Sequence, residues 1–139
     1  AQLDGVTYVG DAYSNKLGVM ADIFTEWEDV LRAAWTYPSV YGEHQRAVHN
    51  SIEIVTEAGV GIASGQGSDP YISLEISDDG GKTFREMPIK RLGKIGEYRH
   101  RTKWHRLGQS RNRVYRAYVS DPIRRKIVDT ILDVDGGRL

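Results

Sequence analysis

The stretch Ile72-Ser73-Leu74-Glu75-Ile76-Ser77-Asp78-Asp79-Gly80-Gly81-Lys82-Thr83-Phe84 carries the strongest structural signal in this chain. Its first half alternates apolar and polar residues, and a period of two is the pattern of a strand with one buried face. Its second half has the form Ser-x-Asp-x-Gly-x-Thr-aromatic, whose polar and glycine residues suit a tight turn. The stretch therefore predicts a strand that runs into a hairpin.

The same alternation recurs along most of the chain. Val128, Thr130, Leu132 and Val134 share one side of another predicted half-buried strand. Further strands are predicted over residues 7–9, 16–21, 30–36, 46–56, 98–107 and 113–120. The 15 glycines fall mainly between these strands, where they mark turns. Only residues 25–34 also fit a short helix.

These strands predict an all-β fold. Seven to nine short strands separated by turns are typical of an antiparallel β-sandwich or jelly-roll-like domain, and a fragment of a β-propeller is the alternative. We favour the sandwich because an incomplete propeller leaves strand edges exposed. A chain of 139 residues has the size of one domain, so residues 1–139 are expected to form a single unit.

The residue types needed for several kinds of chemistry are missing. The chain has no cysteine, which excludes disulfides, thiolate zinc sites and a cysteine nucleophile. His44 and His49, like His100 and His105, are five residues apart, a spacing that turns the two rings to opposite faces of a strand. No P-loop or nucleophile-elbow motif occurs. We therefore expect a protein that is not an enzyme, with no metal, no cofactor and no membrane span.

The charges are divided along the chain although their total is zero. Residues 1–81 hold 3 bases and 13 acids, for a net charge of −10, whereas residues 82–126 hold 15 bases and 3 acids, for a net charge of +12. Residues 127–139 add a net charge of −2. The two signs either meet within the fold or form separate surfaces that face a second subunit or a polyanion.

The predicted strand 98–107 has one core-like side and one basic side. Tyr98, His100, Thr102 and Trp104 share the first side, and Arg99, Arg101, Lys103 and His105 share the second. Neighbouring cations on one face repel each other unless acids offset them. The candidate residues for a subunit or DNA contact are Arg99, Arg101, Lys103, Arg111 and Arg113.

The turn motif after residue 76 is known as an Asp-box. Its predicted structural residues are Ser77, Asp79, Gly81, Thr83 and Phe84. The three polar side chains can bond the turn backbone, the glycine can take a positive φ, and the aromatic ring can pack beneath. Such boxes recur in sialidases and other propellers. A carbohydrate-binding β domain, using aromatic residues such as Trp35 and Trp104, is therefore the alternative function.

Six motifs occur in a fixed order and together resemble a known family. They are residues 57–61 (EAGVG), 65–70 (GQGSDP), the Asp-box, 93–98 (GKIGEY), 104–115 (WHRLGQSRNRVY) and 120–122 (SDP). In this order they resemble the C-terminal part of the packaged-DNA stabilisation proteins of short-tailed bacteriophages, also called tail accessory factors or tail hub proteins. The resemblance covers residues 40–128 well and the earlier segment weakly.

The resemblance implies a structural virion protein made in the bacterial host cytoplasm. Copies are expected to assemble as a ring below the portal, to help retain packaged DNA and to contact other tail proteins: the adaptor below the portal, the tail needle and the tail fibre or spike. Members of this family are longer than 139 residues, so we expect the chain to be the C-terminal domain of a longer protein. The family brings no catalytic residues with it.

Overall fold

The computed structural model describes residues 1–42, 45–57, 59 and 61–136. These residues form fourteen β-strands and no helix, so none of them builds a helix that could cross a membrane. The strands are β1 (Gln2–Leu3), β2 (Val6–Gly10), β3 (Leu17–Val19), β4 (Thr25–Glu26), β5 (Asp29–Val30), β6 (Ala33–Thr36), β7 (Val40–Tyr41), β8 (Ala47–Thr56), β9 (Tyr71–Ser77), β10 (Arg85–Glu86), β11 (Lys90–Arg91), β12 (Thr102–Ser110), β13 (Asn112–Val119) and β14 (Ile127–Gly136). The prediction of an all-β fold is confirmed.

Two antiparallel sheets form the body of the molecule. The larger sheet has the order β10-β9-β13-β6, and the short strands β11 and β7 also pair with β9 and β13. The smaller sheet has the order β12-β8-β14. The chain crosses from the smaller sheet to the larger one at Arg111, the single residue between β12 and β13.

The core lies between these sheets, so the fold is an antiparallel β-sandwich. The larger sheet contributes the apolar residues Ile72, Leu74, Ile76, Tyr115, Ala117 and Val119, and the smaller sheet contributes Ile52, Ile54, Trp104 and Leu107. In β9 the apolar residues alternate with Ser73 and Glu75, as the sequence predicts. Trp104 is buried, and its indole nitrogen donates a hydrogen bond to the Pro88 carbonyl over 2.7 Å.

A β-bulge in β8 changes which side chains enter the core. Ser51 pairs with His105 and Asp133, and His49 pairs with Gly108 and Val134. Asn50 is therefore the extra residue relative to β14, whereas on the other side two residues of β12, Arg106 and Leu107, lie opposite it. One extra residue shifts the alternation of a strand by one position. His49 therefore points inward although Ser51 and Glu53 lie on the outer face.

Residues 25–34 do not form the short helix that their sequence also allowed. Strands β4 and β5 pair with each other here, and Trp27 and Glu28 form the turn between them with φ of 48° and 78°. A positive φ at two consecutive residues is incompatible with a right-handed helix. The helical interpretation is therefore wrong for this segment.

The basic strand begins later than its sequence predicts. Residues 95–99 contain two turns, and β12 starts at Thr102. Tyr98 is 75% exposed, and the His100 ring bonds the Arg91 carbonyl at 2.7 Å instead of entering the core. Gly93 and Gly96 have φ of 95° and 86°, and this left-handed backbone prevents an extended strand through the preceding segment.

Residues 1–32, which precede β6, contain two small sheets beside the sandwich. Strands β1, β2 and β3 form one of them, and the β4–β5 hairpin forms the other. Two cation–π contacts join this part of the chain to the sandwich. The Arg32 guanidinium lies 3.9 Å from the Tyr118 ring centre, and the Arg125 guanidinium lies 5.6 Å from that of Phe24.

Candidate interaction surface

The outer face of the smaller sheet changes from basic to acidic across its three strands. Lys103 of β12, Glu53 of β8 and Ile131 of β14 lie in one row across the sheet. In the next row His105 and Asp133 flank Ser51. The antiparallel register of all three strands therefore places the basic residues on one edge of this face and carboxylates on the other.

Glu53 lies in the middle of this face and is neutralised within the chain. Its carboxylate accepts hydrogen bonds from the Arg101 Nε at 2.6 Å and from a second guanidinium nitrogen at 2.7 Å. The hydrogen bond from Arg101 lowers the pKa of Glu53 below its usual value, and the charges of Arg101 and Lys103 lower it further. Arg101 is thus engaged with its own chain, although most of its side chain is exposed.

The five predicted contact residues do not form one cluster. Arg99 and Arg101 precede β12, and Lys103 lies near its start, whereas Arg111 follows its last residue. At about 3.3 Å per residue, Lys103 and Arg111 are roughly 26 Å apart along the strand. Arg99, Lys103 and Arg111 have no carboxylate within 4.0 Å among the residues that the structure describes.

Arg113 is a buried structural residue, and its prediction as a surface contact is wrong. Its side chain is 1% exposed. Its Nε donates to Asp78 over 2.6 Å, and another guanidinium nitrogen donates to the Leu107 carbonyl over 2.6 Å. This guanidinium joins the turn after β9 to the end of β12, so it faces no partner.

Many cations of the basic segment meet acids from the first 81 residues. The pairs are Arg85–Asp78, Arg91–Asp69, Arg101–Glu53, Arg113–Asp78, Arg116–Glu75 and Arg124–Glu57, at 2.5–3.6 Å. Six of the 15 bases in residues 82–126 are therefore paired with acids of residues 1–81, so the fold neutralises part of the charge division. The charges that are not paired in this way include the carboxylates of β14.

The exposed carboxylates of β14 have no cation beside them in the part of the chain that the structure describes. Asp129, Asp133 and Asp135 form no ion pair with any described residue. The Asn50 amide at the bulge donates to Asp135 over 2.9 Å and to Asp133 over 3.5 Å. An amide satisfies part of their hydrogen-bonding capacity without removing their charge.

The Asp79 carboxylate organises the Asp-box turn. It accepts hydrogen bonds from the Lys82 and Thr83 backbone nitrogens at 2.9 Å and from the Ser77 and Thr83 hydroxyls at 2.6 Å. These bonds, that from Ser77 first, lower the pKa of Asp79 far below its usual value. Gly81 has a φ of 95°, and the ring of Phe84 lies 3.8 Å below the Arg116 guanidinium.

Replacing Asp79 by alanine is expected to lower the midpoint of thermal unfolding by several degrees while the sandwich still folds. The variant loses the hydrogen bonds that four donors make to one carboxylate, and two of these donors are backbone groups of the turn. Circular dichroism during heating measures the midpoint. Asp22→Ala is the control, because Asp22 is exposed and has no such bonds to described residues. Equal midpoints for both variants would contradict this role.

A buried polar cluster between the sheets has no counterpart in the sequence motifs. His49 and Tyr115 are each 1% exposed, and the Tyr115 hydroxyl lies 2.7 Å from the His49 Nδ1. Burial, helped by the charge of Arg113, lowers the pKa of His49 to about 4. The ring is therefore neutral at pH 7, and its other nitrogen, Nε2, is buried without a partner among the described residues.

The described residues offer no metal site, and neither tryptophan of the sandwich is fully exposed. No group of three or more histidine and carboxylate side chains is placed to hold a metal ion within them. His44 lies outside the described residues. Trp104 is 2% exposed, and Trp35 packs against the core. Trp104 therefore offers no open aromatic face to a sugar, whereas Trp35 is partly exposed.

Comparison with known proteins gives one family. The family described as the β-sandwich of bacteriophage P22 Gp10 matches residues 33–135. No curated protein matches the chain. The matched range includes both sheets of the sandwich and the Asp-box turn, and it begins at the first residue of β6. Because the match covers most of the chain, the chain belongs to the bacteriophage P22 Gp10 β-sandwich family.

Proposed function

We propose that this chain is a tail hub or head-to-tail accessory component of a short-tailed phage, which assembles in a ring below the portal and stabilises packaged DNA. The observation that carries the proposal is its membership in the P22 Gp10 β-sandwich family, which supports a structural protein of the phage virion. The proposed role requires rigid contact surfaces and no catalysis. The sandwich supplies such a scaffold, since its strands are tied by partly buried ion pairs and a continuous core.

The proposed partners are neighbouring copies of the chain and other tail proteins: the adaptor below the portal, the tail needle and the tail fibre or spike. A ring subunit needs two different patches that complement each other. The outer face of the smaller sheet has a basic edge and an acidic edge, and this supports ring assembly. In this proposal packaged DNA is a further partner, contacted by the exposed cations Arg99 and Arg111 and by the half-buried Lys103.

The proposal predicts that particles assembled without this chain package DNA and then lose it. A nonsense mutation within its coding region, grown in a host without a suppressor, gives such particles, and the same phage in a suppressor host is the control. DNA content is measured by density and by electron microscopy of purified heads. We expect empty heads only in the non-suppressing host. Particles that keep their DNA and infect normally without the chain would overturn the proposal.

A further inference from the structure

The smaller sheet ends in two long strands whose outer edges are not paired. β8 lies between β12 and β14, and neither edge strand pairs with a further strand among the described residues. β14 is ten residues long, and its side chains Val128 and Ile131 are 61% and 52% exposed. A long edge strand with exposed apolar residues is a surface on which another strand can dock.

Charge limits which strand can dock there. β14 carries Asp129, Asp133 and Asp135, so two copies of this edge repel each other. β12 and its approach carry Arg99, Lys103 and Arg106, which have no ion pair with described residues, so two copies of the basic edge also repel each other. An acidic edge against a basic edge is the combination that attracts.

We propose that β14 of one copy docks edge to edge against β12 of the next copy of this chain. The inference deepens the proposed function, because it rests on ring assembly and names the surface that each subunit uses. Arg101 takes no part, since Glu53 already holds its guanidinium. Val128 and Ile131 supply apolar contact on the acidic edge, and the carboxylates beside them select the basic edge.

The strand directions are consistent with a contact that repeats. β12 and β14 are both antiparallel to β8 and are therefore parallel to each other. A second copy that is shifted sideways in the plane of the sheet places its β14 beside β12 of the first copy, and the two strands are parallel. The resulting pair still has one free acidic β14 edge and one free basic β12 edge. Such a head-to-tail contact closes into a ring when the rotation between copies permits. The bulge at Arg106, where φ is 58°, confines close approach to part of β12.

Charge reversal of one edge at a time tests this contact. The first variant carries Asp129→Lys, Asp133→Lys and Asp135→Lys, and the second carries Arg99→Glu, Lys103→Glu and Arg106→Glu. Sedimentation velocity of the 139-residue chain gives its state of association. The measurement is made at low salt, with chain concentrations up to about 1 mM. We expect the unmodified chain to associate, with association weakening as salt is added. Each variant alone is expected to be monomeric, and an equimolar mixture is expected to associate again.

The matched control is Lys82→Glu, which reverses an exposed cation in the turn after β9 on the other sheet and should associate like the unmodified chain. Circular dichroism checks that each variant folds. If the triple aspartate variant does not fold, Asp129→Lys alone replaces it, because the Asp129 carboxylate bonds only the adjacent Thr130 nitrogen among described residues.

Three results would overturn the inference: an unmodified chain that stays monomeric, variants that associate unchanged, or a mixture that stays monomeric. Loss of DNA binding in a gel-shift assay by the second variant, with unchanged self-association, would assign the basic edge to DNA instead. These outcomes are separate from the proposed function. A chain found in the virion tail whose edges fail this test keeps its proposed role, whereas a chain absent from virions loses that role even if its edges associate.

Discussion

Replacing Arg113 by methionine is expected to lower the free energy of unfolding by roughly 2–4 kcal/mol. Methionine keeps the length of the aliphatic part of arginine but lacks the guanidinium and cannot donate hydrogen bonds. The variant leaves the Leu107 carbonyl without its donor and removes the ion pair with Asp78. Asp78 is partly exposed, so water replaces part of what its carboxylate loses. Chemical denaturation monitored by tryptophan fluorescence measures the difference.

Arg99→Met is the control for this prediction, because Arg99 is exposed and has no ion pair with described residues. Its effect on the free energy of unfolding should be within about 0.5 kcal/mol. The sequence assigned the same contact role to Arg99 and Arg113. The comparison of the two variants distinguishes the buried arginine from the exposed one. An Arg113→Met chain as stable as the unmodified one would show that this guanidinium does not hold the sandwich together.

Stability is expected to fall by about 2–3 kcal/mol between pH 7 and pH 4.5 because of His49. Its pKa is near 6.5 in the unfolded chain and about 4 in the fold. Below pH 6.5 the unfolded chain therefore binds a proton that the folded chain does not, so acid favours unfolding. The loss begins near pH 6.5 and is complete below about pH 4. Denaturation midpoints over this range measure it.

His49→Asn removes the titrating ring and should flatten this part of the stability profile, even if the variant is less stable at pH 7. Asp78, a carboxyl whose pKa the fold lowers, loses its contribution as the pH falls through its folded value, so its effect begins at lower pH than that of His49. His105→Asn is the control, because His105 is exposed on the outer face. An unchanged slope in His49→Asn would contradict the buried neutral histidine.

The sequence predicted those strands whose alternation is regular. β9 was readable because Ile72, Leu74 and Ile76 enter the core and the Asp-box follows at once. The turns could be predicted because glycine and aspartate favour a turn through their effect on the adjacent backbone. Local signals of this kind need no knowledge of the partner strands, and the ordered turn motifs also carried the family resemblance.

The inward position of His49 could not be read from the sequence. Regular alternation through β8 would place it on the outer face together with Ser51 and Glu53. The bulge at Asn50 reverses this, and a bulge depends on the register of both neighbouring strands. The position of Tyr98 could not be predicted either. Tyr98 is in phase with Thr102 and Trp104 in the sequence, but it lies before the first residue of β12.

The charge division was visible in the sequence, but its outcome required the strand order. Glu53 and Arg101 are 48 residues apart, and Glu75 and Arg116 are 41 residues apart, yet each pair meets because β8 lies beside β12 and β9 lies beside β13. The same order places the acidic β14 and the basic β12 on opposite edges of one sheet. Composition alone cannot distinguish neutralised charges from those left exposed.

Cryo-electron microscopy of the virion that carries this chain tests the proposed tail role most directly. We expect density for the β-sandwich in the tail below the portal, repeated around the tail axis, with the acidic β14 edge of each copy facing the basic β12 edge of the next. Density of this kind would place the chain and its contact surface in one map. A tail reconstruction with no density for the sandwich would contradict the account.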